Sequence, residues 1–304
     1  MNRYNVTLGL VAAILCVGIG LYRCSGEEPP STAGTTEPLR VADPSKNQDL
    51  RVRQMTIRWE GARHELAVPV LPWEKPVNAI TVSRYSFDLD KLNPQGKEFN
   101  LVRVWKSGLI ALSSRQFMDP TPLRREKAKA IAKQFFLDRG LPKAVLEVLT
   151  PTYHATSKDP KPRVIGYSAN IAHHVQGMMV AGDALGMRID PDGVKTFGGY
   201  WHNIEVKDTK VEPIDFDEDA MQACVRSQAG RYDWMNPPVP TVKWVRPVYY
   251  VGDLIEEDNA EARVVWEVCF TWGREYWDPV KKQLVDYVAH ARAQAEEEIV
   301  ADDD

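Results

Sequence analysis

The histidines and acidic residues of this chain are the side chains best suited to metal binding or acid–base catalysis. A zinc peptidase helix needs two histidines four residues apart with a glutamate between them, and the segment His64–Val68 (HELAV) has only the first histidine. His173 and His174 are neighbours on a predicted strand, so their side chains point to opposite faces of a sheet. One of them could join His202 and Asp183, because imidazole and carboxylate groups suit zinc. The alternative is surface or hydrogen-bonded histidines, and we predict no metal site.

The segment Asp190–Gly193 (DPDG) begins like a calcium-binding loop. An EF-hand loop needs glycine at its sixth position and glutamate at its twelfth, whereas here glycine is fourth and Trp201 is twelfth. A tight hairpin turn explains the segment better. The chain also lacks the G-x-S-x-G, P-loop and G-x-G-x-x-G patterns, so it shows no nucleophile or phosphate signature. We therefore predict no catalytic residue and no cofactor.

Two cysteines outside the N-terminal segment, Cys224 and Cys269, could form one disulfide in an oxidising compartment. Helical periodicity puts Cys224 on an apolar face, which favours core packing over a role as a nucleophile. Alternation along Arg263–Trp272 puts Cys269 on the side of its strand that carries Glu267. If the helix covers the apolar face of this strand, the two sulfurs lie on opposite sides of the sheet.

The second half of the chain is rich in tryptophan and tyrosine. These residues could mark a groove for a peptide or a glycan, or they could belong to a sheet and core that select aromatic side chains. Four of them lie beside glycines or turns, and therefore near strand ends. The candidate binding residues are Tyr200, Trp201, Trp272 and Trp277.

Charge and composition exclude several classes of protein. The 304 residues include 38 Lys and Arg against 42 Asp and Glu, which gives a formal net charge of −4. A nucleic-acid-binding domain is usually basic, so we predict no nucleic-acid partner. Six acidic residues crowd the C-terminus, at 296–298 and 302–304, and they favour a solvated tail.

The N-terminus carries an unbroken apolar run, Val6–Tyr22, that follows Arg3. Seventeen residues suit either a short membrane-spanning helix or the core of a signal peptide, and we favour the anchor. The positive charge before the run predicts that the rest of the chain lies outside the cytoplasm. Residues 1–25 are therefore a signal anchor or signal peptide, and the Pro-rich, Ser-rich and Thr-rich residues 26–48 are a flexible linker.

Hydrophobic periodicity predicts an α+β fold after the linker. Residues 49–118 form a β-rich region in this interpretation. A helix is then predicted to begin at Thr121-Pro122 and to present an apolar stripe from Ala128 to Phe136. A second helix is predicted from a capping box at Asp215–Glu218. Each helix precedes several strands, so we predict two helix-plus-antiparallel-sheet units, at 119–210 and at 211–304 with the acidic tail.

The strands around Val175–Asp183 (VQGMMVAGD) resemble those of the PepSY and fungalysin/thermolysin propeptide (FTP) domains. In that group a helix packs on an antiparallel sheet that carries a G-x-x-V-x-G step, followed by a hairpin like Leu185–Phe197. Trp266–Val268 and Tyr276–Pro279 resemble the corresponding strands of a second unit, although Val280–Lys282 replaces the expected Thr-Gly turn. The resemblance covers about residues 121–288.

The resemblance implies a domain without catalytic activity. Members of the group act as inhibitory or chaperoning propeptides of metalloproteases, or as extracytoplasmic modules of membrane-anchored regulators. We therefore predict a non-catalytic, membrane-tethered binding or regulatory module, periplasmic or on the cell surface, that engages or restrains an envelope protein such as a protease or sensor. If the N-terminal segment is cleaved, the protein is secreted. The alternatives are an extracytoplasmic hydrolase whose site no linear motif reveals, and a structural component of the envelope.

Overall fold

Strands make up most of the secondary structure of this protein. The computed structural model describes residues 39–41, 50–96, 98–104, 109–114, 121–141, 144–154, 163–231, 239–252, 259–271 and 273–285. The strands are β1 (Leu39–Val41), β2 (Arg51–Trp59), β3 (Ala62–Val70), β4 (Val77–Arg84), β5 (Leu101–Val104), β6 (Ile110–Ser113), β7 (Ala144–His154), β8 (Arg163–Val175), β9 (Met178–Asp190), β10 (Gly193–Tyr200), β11 (His202–Val211), β12 (Val242–Tyr250), β13 (Ala260–Glu261), β14 (Arg263–Phe270), β15 (Arg274–Asp278) and β16 (Gln283–Leu284). The helices are α1 (Leu89–Leu92), α2 (Arg125–Asp138) and α3 (Glu218–Arg231), with a 3₁₀ turn at Pro94–Gly96.

The predicted α+β class, with a β-rich region followed by two helix-plus-sheet units, is wrong. Among the described residues only α2 and α3 are longer than one helical turn, at 14 residues each. Thirteen strands join in one sheet, and β11, β4 and β13 form a second. The thirteen come from the β-rich region, from both expected units and, as β1, from the predicted linker. Strand pairing between distant segments builds this sheet, which local periodicity does not reveal.

The long strand β9 connects the two halves of the large sheet. Its C-terminal part pairs with β10, while Val180 and Ala181 pair in parallel with β12. The exchange happens at Gly182, which has a φ of +111° and an ideal Cβ position only 2.7 Å from the Gly252 backbone nitrogen. The neighbouring strand β8 has a register shift between Ala172 and His173 at the same level. Only glycine fits this conformation and this close backbone approach.

Each long helix covers one half of the sheet. The apolar stripe of α2, which includes Phe135 and Phe136, packs on β8, β9 and β10, with Phe197 5.1 Å from Phe135 between ring centroids. The helix begins at Arg125, after the expected Thr121-Pro122 start. The face of α3 that carries Cys224 packs in a second core with β2, β3, β12 and β14. A third core lies between β4 of the small sheet and β9, β12 and β14.

Side chains of α3 cover part of the outer edge of β2. The Thr56 N–H donates to Glu218 Oε1 at 2.9 Å. Gln222 makes two bonds with the backbone of Arg58, accepting from its N–H at 2.6 Å and donating to its carbonyl at 3.0 Å. These contacts imitate a neighbouring strand, so they close this edge to pairing with another chain.

Several expectations concern residues that the structure does not describe. The anchor or signal segment at 1–25, most of the linker at 26–48 and the acidic tail lie outside the described residues. Within the described ranges, no helix is both long and apolar enough to cross a membrane. The domain boundaries at 118/119 and 210/211 remain predictions.

Candidate functional site

Three side chains meet at the junction of the two halves of the large sheet. All three are among the possible zinc ligands named from the sequence. His173 lies in β8, just after the register shift, and Asp183 follows Gly182 in β9. His202 is the first residue of β11, where the chain leaves the large sheet for the small one. The strand exchange at Gly182 therefore brings one carboxylate between two imidazoles.

Asp183 accepts three hydrogen bonds in this cluster. Its Oδ2 lies 2.9 Å from His173 Nδ1 and accepts from the His202 backbone N–H at 3.1 Å. Its Oδ1 lies 2.5 Å from His202 Nδ1. A carboxylate can only accept hydrogen bonds, so both imidazoles carry a proton on Nδ1 when Asp183 is ionised.

The pKa of Asp183 is lower than the usual 3.8. Burial, the largest influence, favours the neutral acid, but hydrogen bonds from His173 and His202 together outweigh it. Asp183 is therefore ionised near neutral pH in spite of being only 3% exposed. The two histidines compensate this buried charge by hydrogen bonding.

Carboxylate–histidine pairs orient imidazoles for metal binding and for base catalysis, so both uses need testing against the geometry. His202 is only 3% exposed, and a substrate could reach its ring only if the junction opened. The Nδ1 atoms of both rings are already bound to Asp183. Within the described residues, no three His, Cys, Asp or Glu side chains are placed to hold a metal ion. The arrangement is that of hydrogen-bonded histidines.

The three described members of the predicted binding set are buried or half-buried and belong to three different clusters. Trp201 is 3% exposed and stacks on the ring of His173, with centroids 4.3 Å apart and planes at 5°. Tyr200 is buried in a small cluster with Leu109 and Ala111. Trp277 is half-buried at the border of the second core. Trp272 lies outside the described residues, and a binding role for the four stays a prediction.

A buried charge network that was not predicted from the sequence lies on the face of β12 and β14 that points away from α3. Glu267 accepts from Arg246 Nε at 2.6 Å, from Arg274 Nη1 at 2.6 Å and from the Tyr276 hydroxyl at 3.2 Å. Arg246 lies directly opposite Glu267 in the register of the two strands. The alternation of β14 indicates a polar face there, but it does not identify β12 as the partner strand.

A second unforeseen carboxylate, Glu275 of β15, lies under α3. The Arg231 guanidinium donates to its Oε2 at 3.1 Å. Burial raises the pKa of Glu275 to about 7, against the opposing effects of Arg231 and of a hydrogen bond with Ser227. The side chain of Gln228, in α3, is also buried, and neither of its amide atoms has a hydrogen-bond partner among the described residues. Polar groups of α3 and β15 are therefore buried together with this core.

The two cysteines are free and buried, on opposite sides of the sheet as the periodicity predicted. Burial raises the pKa of the Cys224 thiol well above its usual value, and that of Cys269 to about 11. Since the thiolate is the reactive form, neither is an activated nucleophile.

Comparison with solved structures gives distant neighbours, among them two whose similarity is as follows. No family model matches the chain, and no curated protein matches it. An uncharacterized protein from Eubacterium rectale is 8% identical, with a TM-score of 0.42, over 79% of this chain and 96% of that one. The Bacillus megaterium YpeB C-terminal domain is 10% identical, with a TM-score of 0.30, over 79% of this chain and 89% of that one. Similarity at this level supports no argument about function.

Proposed function

We propose that this protein is a non-catalytic binding module that lies outside the cytoplasm, tethered by its N-terminal segment, and engages or restrains a protein of the envelope such as a protease or sensor. The proposal joins the apolar run Val6–Tyr22 with the resemblance of residues 121–288 to PepSY and FTP domains. Partner, tethering and location are all parts of the proposal.

The observation that carries the proposal is that the groups of the His173–Asp183–His202 cluster are hydrogen-bonded to one another and largely buried. A catalytic base must reach the proton that it removes, within hydrogen-bond distance. Here the imidazole of His202 is buried and that of His173 is stacked on Trp201, and both are bonded to Asp183. The cluster thus serves to join strands, which favours binding over the alternative of a hydrolase.

Proximity labelling in the native envelope tests the proposal. The labelling enzyme is fused to the C-terminus of the full chain, and captured proteins are identified by mass spectrometry. The matched control carries the enzyme directly after residues 1–48, which share the predicted anchor and linker but lack the folded part. We expect one protease or sensor, or a small set of envelope proteins, to be enriched by the full chain only.

Two results would contradict the proposal. Identical protein sets from the full chain and the control would mean that the folded part engages no protein partner. Labelling of cytoplasmic proteins alone would place the folded part on the wrong side of the membrane.

A further inference from the structure

β11 is an edge strand of the small sheet. Side chains of α3 cover part of the edge of β2, whereas one edge of β11 has no partner strand among the described residues. β11 pairs with β4 through His202–Val206 and Lys210–Val211, and among the described residues no strand pairs with its other edge. Val206, near its middle, is 49% exposed. The small sheet gains little from its third strand, because β13 contributes only two residues. An open edge on so small a sheet is a template for another strand.

The charges around Val206 determine which strand fits this edge. Charged residues usually protect an edge from pairing, but the order Glu205-Val206-Lys207 is complementary to itself in the antiparallel direction. When two copies are related by a two-fold axis at Val206, each Glu205 lies opposite a Lys207 of the other copy. The two exposed Val206 side chains then lie opposite one another at the axis.

Contacts in the single chain agree with this geometry. Lys207 Nζ and Glu205 Oε2 of the same strand are 2.6 Å apart, so both side chains already extend on one face of β11. Beyond Val206 the strand bulges, and Asn78 Nδ2 of β4 donates to the Lys207 carbonyl within this bulge at 2.6 Å. The bulge limits regular pairing to the short stretch around Val206, which predicts a weak dimer.

We propose that two copies of this protein pair through the β11 edge, antiparallel and centred on Val206. The Glu205–Lys207 pairs select this register, because a shift by two residues removes both of them. The inference does not depend on the proposed function, since it concerns a second copy rather than an envelope partner.

A charge-exchange cycle on the full-length protein in detergent tests the pairing. Glu205→Lys and Lys207→Glu each place like charges opposite one another at two positions, whereas the double variant restores opposite charges. We expect each single variant to weaken dimerisation about tenfold in sedimentation equilibrium, and the double variant to return within about twofold of the wild type. Thermal melting checks that the exposed substitutions leave the fold intact.

Cross-linking provides the second measurement. In a background with Cys16 and Cys24 replaced by serine, Val206→Cys should form a disulfide-linked dimer on oxidation far faster than Val280→Cys. Val280 is the control because it is another exposed valine, 74% exposed, and lies in the turn between β15 and β16 rather than on β11. A monomeric wild type, single variants that dimerise like the wild type, or equal cross-linking of the two cysteine variants would overturn the proposal. A disulfide to a different protein in the envelope would overturn it too, because the edge would then belong to another partner.

Discussion

The buried carboxylates of this protein differ in what compensates their charge. Asp183 receives hydrogen bonds from two imidazoles and a backbone N–H, and Glu267 binds two arginines and a tyrosine. Among the described residues, Glu275 has one charged partner, Arg231. This difference explains why the pKa of Asp183 falls below the usual value while that of Glu275 rises.

Replacing Asp183 by asparagine should strongly destabilise the fold. Asparagine is neutral and turns one acceptor into a donor facing an imidazole, so we expect a loss of about 3 kcal/mol in the free energy of unfolding, measured with urea. The exposed Asp208→Asn is the matched control and should change it by less than about 0.5 kcal/mol. Because the folded pKa is lowered, the wild-type contribution is present above 3.8 and is lost as the pH falls below it. If the two variants changed the free energy of unfolding equally, Asp183 would not stabilise the fold in the way described.

The contribution of Glu275 to the free energy of unfolding should depend on pH in the opposite direction. The folded pKa of Glu275, about 7, lies above the usual 4.5, so the folded state holds a proton that the unfolded state releases. The free energy of unfolding should therefore decrease as the pH rises from about 4.5 to about 7, by roughly 3 kcal/mol at most, and then level off. In Glu275→Gln this decrease should disappear, whereas the exposed control Glu65→Gln should keep it. A Glu275→Gln protein with the wild-type pH profile would refute this assignment.

At the scale of elements, β9 determines how the molecule is built. It belongs to both halves of the large sheet, and its glycine at position 182 allows the exchange from β10 to β12. The Asp183 cluster lies next to this point, so the hydrogen bonds of Asp183 and the backbone bend at Gly182 stabilise the same junction. A substitution at either Asp183 or Gly182 should therefore weaken the contacts between the two halves of the large sheet.

The glycine at this junction should not tolerate alanine. Gly182→Ala adds a Cβ 2.7 Å from the Gly252 nitrogen in a left-handed conformation, so we expect a loss of about 3 kcal/mol and a lower Tm. Gly230→Ala is the matched control, because its Cβ would meet no atom within 4 Å. That change lies in α3 and should be neutral or slightly stabilising. Similar melting temperatures for the two variants would contradict the role of Gly182.

Local elements were predictable from sequence, and long-range pairings were not. The hairpin at Asp190–Gly193 and the apolar stripe of α2 agree with the structure, because turn chemistry and helical periodicity are local signals. The contacts of Gln222 with β2 join residues 164 positions apart, and the pairing of Arg246 with Glu267 depends on strand register. Residue type suggested a zinc site of His173 or His174 with Asp183 and His202, and that site was not predicted; the direct hydrogen bonds of His173, Asp183 and His202 depend on the bend at Gly182.

At the scale of the whole molecule, strands from three sequence regions depend on one another. β2 and β3 pack with α3, while β5 and β6 join the half covered by α2. The large sheet therefore joins all three regions around buried polar clusters, while β11 of the small sheet has one edge that no strand of the described residues pairs with.

Whether the folded part engages a protein without using imidazole chemistry is tested most directly by the labelling experiment with His173→Gln in the full chain. Glutamine can still donate a hydrogen bond to Asp183, but it has no imidazole to exchange protons or bind a metal. We expect this variant to label the same set of envelope proteins as the wild type. A variant with wild-type melting behaviour that no longer labels them would contradict this expectation, because imidazole chemistry would then be essential.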